Sequence, residues 1–250
     1  MIGMQSGATG MLMGALFGSA LATGIAMWQT RDLWTVPKEH FDLKGLLAQG
    51  VPLLLGFGAC QFMFASDTMF AKPHFSETEM ASYGMAGTLS RALLWLVLPL
   101  AAVMFPKIVH SSAKSEKTNL LSLVLIGTAV LAICGAASLS LLGPWIVKFV
   151  AKESYVAATS ALLPWYAGAM VPYALANVLV NDLLARERFK IVPFMIVVAA
   201  GYGFTLSYAL NHYPGRLVMV LQILAVFNLV LLAGCVWAAF RKPSSASAAS

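Results

Sequence analysis

Seven long apolar runs divide this chain, and almost every charged residue lies in the short stretches between them. The runs cover residues 7–28, 46–66, 84–105, 119–142, 155–183, 191–210 and 217–240. Each is about 20 residues or longer, which is enough for a helix to cross the roughly 30 Å hydrocarbon core of a bilayer. The runs are apolar throughout and do not alternate with polar residues, as strands of a membrane β-barrel would. We therefore expect an all-α polytopic membrane protein with seven spans.

The composition excludes an ordinary water-soluble domain. Hydrophobic residues make up 60% of the chain and charged residues only 10%, whereas about 25% charged residues is typical of soluble domains. The net charge of +6 could suggest a nucleic-acid partner, but its distribution argues against one. Eleven Lys and Arg residues lie in connections 1–2, 3–4 and 5–6 and at the C-terminus, against four in connections 2–3, 4–5 and 6–7.

This alternation is the positive-inside pattern of inner-membrane proteins. It places the C-terminus in the cytoplasm and, with seven spans, the N-terminus outside. The longest connection, residues 29–45, is then a cytoplasmic linker, and residues 243–250 are a small polar tail that we expect to be disordered.

No motif in the chain points to an enzyme or a cofactor. The three cysteines lie within apolar runs and lack the spacing of a metal site, and the four histidines fall in loops or at helix ends. No phosphate-binding loop of the G-x-x-x-x-G-K-[ST] type is present, so we expect no ATP hydrolysis by this chain. Single polar residues in the runs, such as Asn228, are typical of contacts between helices.

Arg91 and Asp67 are the strongest candidates for function, because charges inside hydrocarbon are costly and face a cavity or a partner. Arg91 offers a fork of donors that suits phosphate or carboxylate, so it is either a cation for an anionic substrate or a paired or snorkelling arginine. Asp67 ends the second span, and a short loop joins that span to the third. It is either the partner of Arg91 in a salt bridge or a carboxylate that couples transport to protons or cations.

A second polar group lies near the cytoplasmic end of the fifth run. Asn177 and Asn181 share a helix face, and Asp182 is spaced four residues from Arg186, so these two side chains can pair. The group is either an interfacial ion pair that finishes the helix or part of a transport pathway.

The first run carries Gly10, Gly14 and Gly18 at intervals of four residues. Small residues at this spacing form a flat helix face against which another helix packs closely. The partner is either another helix of this chain or a second polypeptide.

Four short motifs between residues 50 and 106 resemble a known family. They are Gly-Val-Pro-Leu-Leu-Leu at 50–55, Ser-Asp-Thr-Met-Phe at 66–70, Ser-Tyr-Gly-Met-Ala-Gly-Thr-Leu-Ser-Arg at 82–91, and Met-Phe-Pro at 104–106. In this order they resemble the second lobe of the polysaccharide and oligosaccharide-lipid flippases in the multidrug/oligosaccharidyl-lipid/polysaccharide (MOP) exporter superfamily. The stretch 179–190, a polar helix end with a basic turn, also resembles that lobe, and Tyr83 joins the candidate residues from the third motif.

The resemblance implies one helix plus one six-helix lobe of a two-lobed carrier. Residues 1–28 would be the trailing helix of a first lobe, 29–45 the linker and 46–242 the second lobe. A single lobe forms one wall of a cavity, so we expect either a longer reading frame or a second transmembrane lobe, from another chain or a second copy, that contacts the glycine stripe.

The resulting hypothesis is a carrier in the bacterial cytoplasmic membrane. It would flip a lipid-linked oligosaccharide or polysaccharide precursor by alternating access, with Arg91 holding the phosphate or an acidic sugar. The alternative is a non-transporting membrane scaffold, or a truncated remnant, in envelope polysaccharide or lipopolysaccharide synthesis.

Overall fold

A computed structural model describes residues 7–31, 43–113, 120–213 and 215–241, and these residues are almost entirely helical, without a strand among them. In chain order the helices are α1 (Gly7–Gln29), α2 (Leu43–Ala71), α3 (Glu77–Ala113), α4 (Leu120–Leu141), α5 (Gly143–Val150), α6 (Glu153–Ala185), α7 (Val192–His212) and α8 (Leu217–Phe240). The predicted tail 243–250 and most of the predicted linker 29–45 lie outside the described residues.

The expectation of a polytopic helical membrane protein is confirmed. Six of the described helices are long and apolar enough to cross a bilayer, namely those that include α1, α2, α4, α6, α7 and α8. The third predicted run, 84–105, lies within α3, which does not meet the same standard over its described residues, so a span there stays a prediction. Large apolar side chains also cover the outside of the helices, which is rare on soluble proteins; examples are Leu54, Trp95, Ile126, Phe204 and Val226.

The chain divides into two units, Met1–Leu46 and Leu47–Ser250. The first contains α1, in which the hydroxyl groups of Ser19 and Thr23 donate to backbone carbonyls one turn earlier. Gly10, Gly14 and Gly18 lie on one face of this helix because 3.6 residues make a turn. The interpretation of this unit as the trailing helix of another lobe stays a prediction.

The second unit is built around α6, whose buried side chains run along most of its length. It packs on α3, α4, α5 and α8. Small residues such as Ala169 and Ala176 allow neighbouring helices to approach closely. Asn228 of α8 is buried and donates from Nδ2 to the Ala169 carbonyl at 2.8 Å, so its side chain joins two helices as expected.

The helix ends differ from the predicted runs where capping groups extend them. Ser76 and Glu79 form a capping box at the start of α3: the Ser76 hydroxyl and backbone N–H donate to Glu79 Oε2 at 2.7 and 3.0 Å, and the Glu79 N–H donates back to Ser76 Oγ at 3.4 Å. These hydrogen bonds from Ser76 lower the pKa of the Glu79 carboxyl below its ordinary value. The helix therefore begins seven residues before the apolar run that was predicted to start at Gly84.

The connection between the fourth and fifth predicted spans contains a helix that the sequence did not predict. This helix, α5, begins at Gly143 with Pro144 in its first turn, where a missing backbone N–H has no cost. Gly143 and Val147 are buried on one side of it, and a Cβ placed on Gly143 would lie 3.0 Å from a methyl group of Leu163. The connection is therefore packed onto α6.

Candidate functional site

A buried carboxylate lies at the centre of the strongest candidate site. Asp67 is in the last turns of α2 and is fully buried. Its Oδ1 accepts a hydrogen bond from Arg91 Nη2 at 2.6 Å. Its Oδ2 accepts from the Tyr83 hydroxyl at 2.8 Å and also from the Tyr166 hydroxyl. Donors from α3 and α6 thus meet on one carboxylate of α2, as a buried charge requires.

The Arg91 guanidinium is held on several sides. Its Cζ lies 5.0 Å from the ring centroid of Phe64 and 5.7 Å from that of Tyr166, which are cation–π distances. Its Nη2 also donates to Thr68 Oγ1 at 3.3 Å. The side chain remains 19% exposed, whereas its Nε is buried and has no hydrogen-bond partner among the described residues. Arg91 is therefore paired with Asp67 but keeps partial access to its surroundings.

Residue spacing on α3 explains how the site forms. Tyr83, Gly87 and Arg91 follow one another at intervals of four residues, so they lie on the same helix face. A Cβ on Gly87 would lie 3.0 Å from the Tyr166 hydroxyl oxygen. The absence of a side chain at Gly87 allows the Tyr166 ring to pass between Tyr83 and Arg91, with the two tyrosine centroids 5.3 Å apart.

A second tyrosine continues the contact between α6 and α2. Tyr173 lies two turns after Tyr166, and its hydroxyl donates to the Cys60 carbonyl at 2.8 Å. Its ring stacks on Phe64, with centroids 5.8 Å apart. The Phe64 ring therefore contacts both Tyr173 and the Arg91 guanidinium, and hydrogen bonds from both tyrosines join α6 to α2.

The predicted pairing of Asp67 with Arg91 is therefore present, and Tyr83 belongs to the same group. Tyr166, Tyr173 and Phe64 were not singled out from the sequence. The one available signal was the spacing of seven residues between the tyrosines, which places them on one face of a helix. In an apolar run that pattern is equally typical of ordinary core packing.

The other predicted residues lie elsewhere on α6. Asn181 Nδ2 donates to the Asn177 carbonyl at 2.7 Å, and Arg186 Nε donates to Asp182 Oδ1 at 2.9 Å. Asp182 is sixteen residues beyond Tyr166 in the sequence, or about 24 Å along the helix axis. The structure does not bring this group to Asp67, and its role in transport stays a prediction.

The end of α6 contributes instead to the packing of the second unit. In the turn after the helix, Arg188 Nη1 donates to the carbonyls of Ala238 and Ala239 at 3.1 and 3.3 Å. These are among the last carbonyls of α8, which have no partner within their own helix. Within the described part of the chain, no group of three His, Cys, Asp or Glu residues could hold a metal ion.

The helices and the buried ion pair define a polytopic helical membrane protein with a buried Asp–Arg pair. The sequence model of the family described as lipid II flippase MurJ matches residues 3–247. The chain therefore belongs to the MurJ lipid II flippase family, which is part of the MOP superfamily, and the resemblance is confirmed at that level. A search of curated proteins found no match, and a search of solved structures found none.

Membership of this family concerns the expected location, the expected absence of catalysis and the transported molecule. The family consists of flippases of the bacterial inner membrane and is not a catalytic family. Its transported molecules are lipid-linked precursors. The correspondence to one helix plus a second lobe, and the cytoplasmic C-terminus, stay predictions.

Proposed function

We propose that this chain is part of a flippase that carries a lipid-linked saccharide precursor across the bacterial cytoplasmic membrane. Transport would proceed by alternating access without ATP hydrolysis. The family supports flipping of a lipid-linked precursor. The observation that carries the proposal is Arg91, a partly exposed arginine whose guanidinium pairs with the buried carboxylate of Asp67.

Arg91 is suited to the phosphate of such a substrate. A guanidinium binds phosphate or carboxylate oxygens through parallel N–H donors. Such charge-assisted hydrogen bonds are stronger than those between neutral groups. Asp67 now occupies one side of that fork at Nη2. In the proposed mechanism a substrate phosphate takes the place of Asp67 on Arg91 and so selects for anionic lipids.

The displaced Asp67 would supply the coupling step. A buried carboxylate without a cation is costly, and the hydroxyl groups of Tyr83 and Tyr166 are neutral donors. A proton could replace Arg91 as the compensating positive charge. Release of the substrate would let Arg91 return to Asp67 and would release that proton.

Removal of the Arg91 charge is expected to reduce transport by about tenfold or more, because a hydrogen bond to a charged group contributes about 1.5–3 kcal/mol. Arg91→Gln alone also leaves Asp67 unpaired, so the decisive variant is Asp67→Asn with Arg91→Gln, which removes both charges. Transport is measured as movement of labelled precursor across vesicles containing the protein and its partner lobe. Arg186→Gln is the matched control, because Arg186 pairs with an aspartate at the other end of α6.

Two results would contradict the mechanism. Unchanged transport by the folded double variant would exclude Arg91 as the substrate contact. Absence of transport by the wild-type protein together with retention of envelope synthesis in cells would favour the scaffold alternative. Lipid II and a polyprenyl-diphosphate-linked oligosaccharide without peptide, tested separately, would establish which precursor is carried.

The proposed partner of the first unit is a second transmembrane lobe, from another chain or a second copy, that packs on Gly10, Gly14 and Gly18. Gly14→Ile would place a branched side chain in the middle of this face and is expected to weaken association by about tenfold or more, since such contacts depend on close backbone approach. Co-purification of two differently tagged chains, or of this chain with candidate membrane proteins, measures the effect. Ala20→Ile, on another face of α1, is the control, and equal effects of the two substitutions would contradict the proposal.

A further inference from the structure

We infer that α5 (Gly143–Val150) is a lipid anchor that lies in the membrane–water interface with its exposed apolar face among the lipids. This inference concerns a surface away from Asp67 and Arg91 and does not depend on what the protein transports. The partner is the bilayer itself, at the boundary between headgroups and acyl chains.

The exposed side of α5 is formed by large apolar groups. Phe149 is 95% exposed and Trp145 is 79% exposed, and Val150 is also exposed. Together with Leu142 and Ile146 they line an apolar groove. At about 100° per residue these side chains occupy an arc next to the buried residues Gly143 and Val147.

The polar side of α5 carries Lys148 and is turned away from the apolar arc. Lys148 lies outside the apolar arc, and its Nζ is 3.4 Å from Glu153 Oε1 at the start of α6. Both side chains are largely exposed. A helix with an apolar face containing Trp and Phe and a Lys on its polar face is the type that lies in the plane of an interface.

Two membrane-spanning helices flank α5 and place its apolar arc next to the bilayer. The spans Leu121–Leu141 and Glu153–Ala185 flank it directly, so only residues 142–152 connect two membrane crossings. A connection of that length holds α5 where the spans leave the membrane. The contact of Gly143 with Leu163 of α6 keeps the helix against the bundle, and its apolar arc therefore continues the lipid-facing surface of its neighbours.

The position of Trp145 tests this inference directly. The full chain with Trp145 as its single tryptophan is reconstituted into phosphatidylcholine–phosphatidylglycerol vesicles that carry bromine either close to the headgroups or near the acyl-chain ends. Because interfacial helices insert about 5–10 Å, shallow bromines are expected to quench Trp145 at least about twofold more strongly than deep ones. A matched chain whose single tryptophan replaces Leu229 is the control, since Leu229 is exposed near the middle of the span α8 and a tryptophan there should show the opposite order.

Three results would overturn the inference. They are the absence of quenching at Trp145 by any bromine, stronger quenching by the deep bromines, and quenching that emerges only when the protein is diluted in lipid. The last result would mean that a second copy of the chain covers the apolar arc.

A second measurement retains all tryptophans in case their replacement prevents folding. In a Cys134→Ser background, where the remaining native cysteines are buried, a nitroxide is attached at Phe149→Cys or at the neighbouring Lys148→Cys. Collisions with a water-soluble nickel chelate are expected to be several-fold more frequent at position 148 than at position 149. Equal collision rates at the two positions would overturn the inference.

Discussion

Replacement of Asp67 by alanine is expected to destabilise the second unit by about 3–5 kcal/mol, because it leaves the largely buried Arg91 guanidinium without its negative partner. The hydroxyl groups of Tyr83 and Tyr166 lose their acceptor in the same step. Unfolding of the detergent-solubilised protein by increasing denaturant, followed by loss of helical circular dichroism, measures the change. Neutralisation of both partners in Asp67→Ala with Arg91→Met is expected to recover most of the loss.

A second Asp–Arg pair in the same chain provides the control. Asp182 is paired with Arg186 at 2.9 Å, close to the 2.6 Å of Asp67 with Arg91. Arg186 is 38% exposed, however, and can turn toward water when its partner is removed. Asp182→Ala is therefore expected to cost about 1 kcal/mol or less, and equal losses at positions 67 and 182 would mean that burial does not determine the strength of the first pair.

Gly87→Ala is an uncharged substitution that is expected to disturb the contacts around Asp67. The added methyl group would lie 3.0 Å from the Tyr166 hydroxyl oxygen and 3.1 Å from two of its ring carbons. Tyr166 would have to move away from Asp67, and overpacking of this kind costs about 1–3 kcal/mol. The same denaturant unfolding experiment measures the change.

Gly84→Ala is the control for Gly87→Ala on the same helix. A Cβ at Gly84 meets no atom within 4 Å, and alanine is favoured over glycine in a helix interior by about 1 kcal/mol. Gly84→Ala is therefore expected to be neutral or stabilising. A loss of stability at position 84 as large as at position 87 would indicate that the helix backbone, and not the space for Tyr166, determines the effect.

Much of the helix arrangement follows from the sequence because lipid places a strict demand on length and polarity. An apolar run of about 20 residues has few other stable structures. The pairing of Asp67 with Arg91 follows for the same reason, since a charge inside a membrane requires a partner and these two lie on consecutive helices. The spacing of Ser76 and Glu79 is also that of a capping box, which predicts a helix start near Glu77, whereas the apolar run begins only at Gly84.

Other parts of the site depend on contacts that spacing does not reveal. Tyr166 is 99 positions from Asp67 in the sequence, and its register against α3 is set by the absence of a side chain at Gly87. The helix α5 is too short for a hydropathy window to detect. Its signals were Pro144 in the first turn and the spacing of four between Trp145 and Phe149, both of which occur in ordinary loops.

The three hydrogen bonds that converge on Asp67 limit how the helices of the second unit can move. The Asp67 carboxylate joins α2, α3 and α6: separation of α2 from α3 would leave a charge unpaired, and separation of α6 would remove the hydrogen bond from Tyr166. Within the second unit these contacts favour movement of the three helices together. In the proposed alternating-access mechanism, movement of α2 relative to α3 would therefore require a substrate anion to replace Asp67 on Arg91.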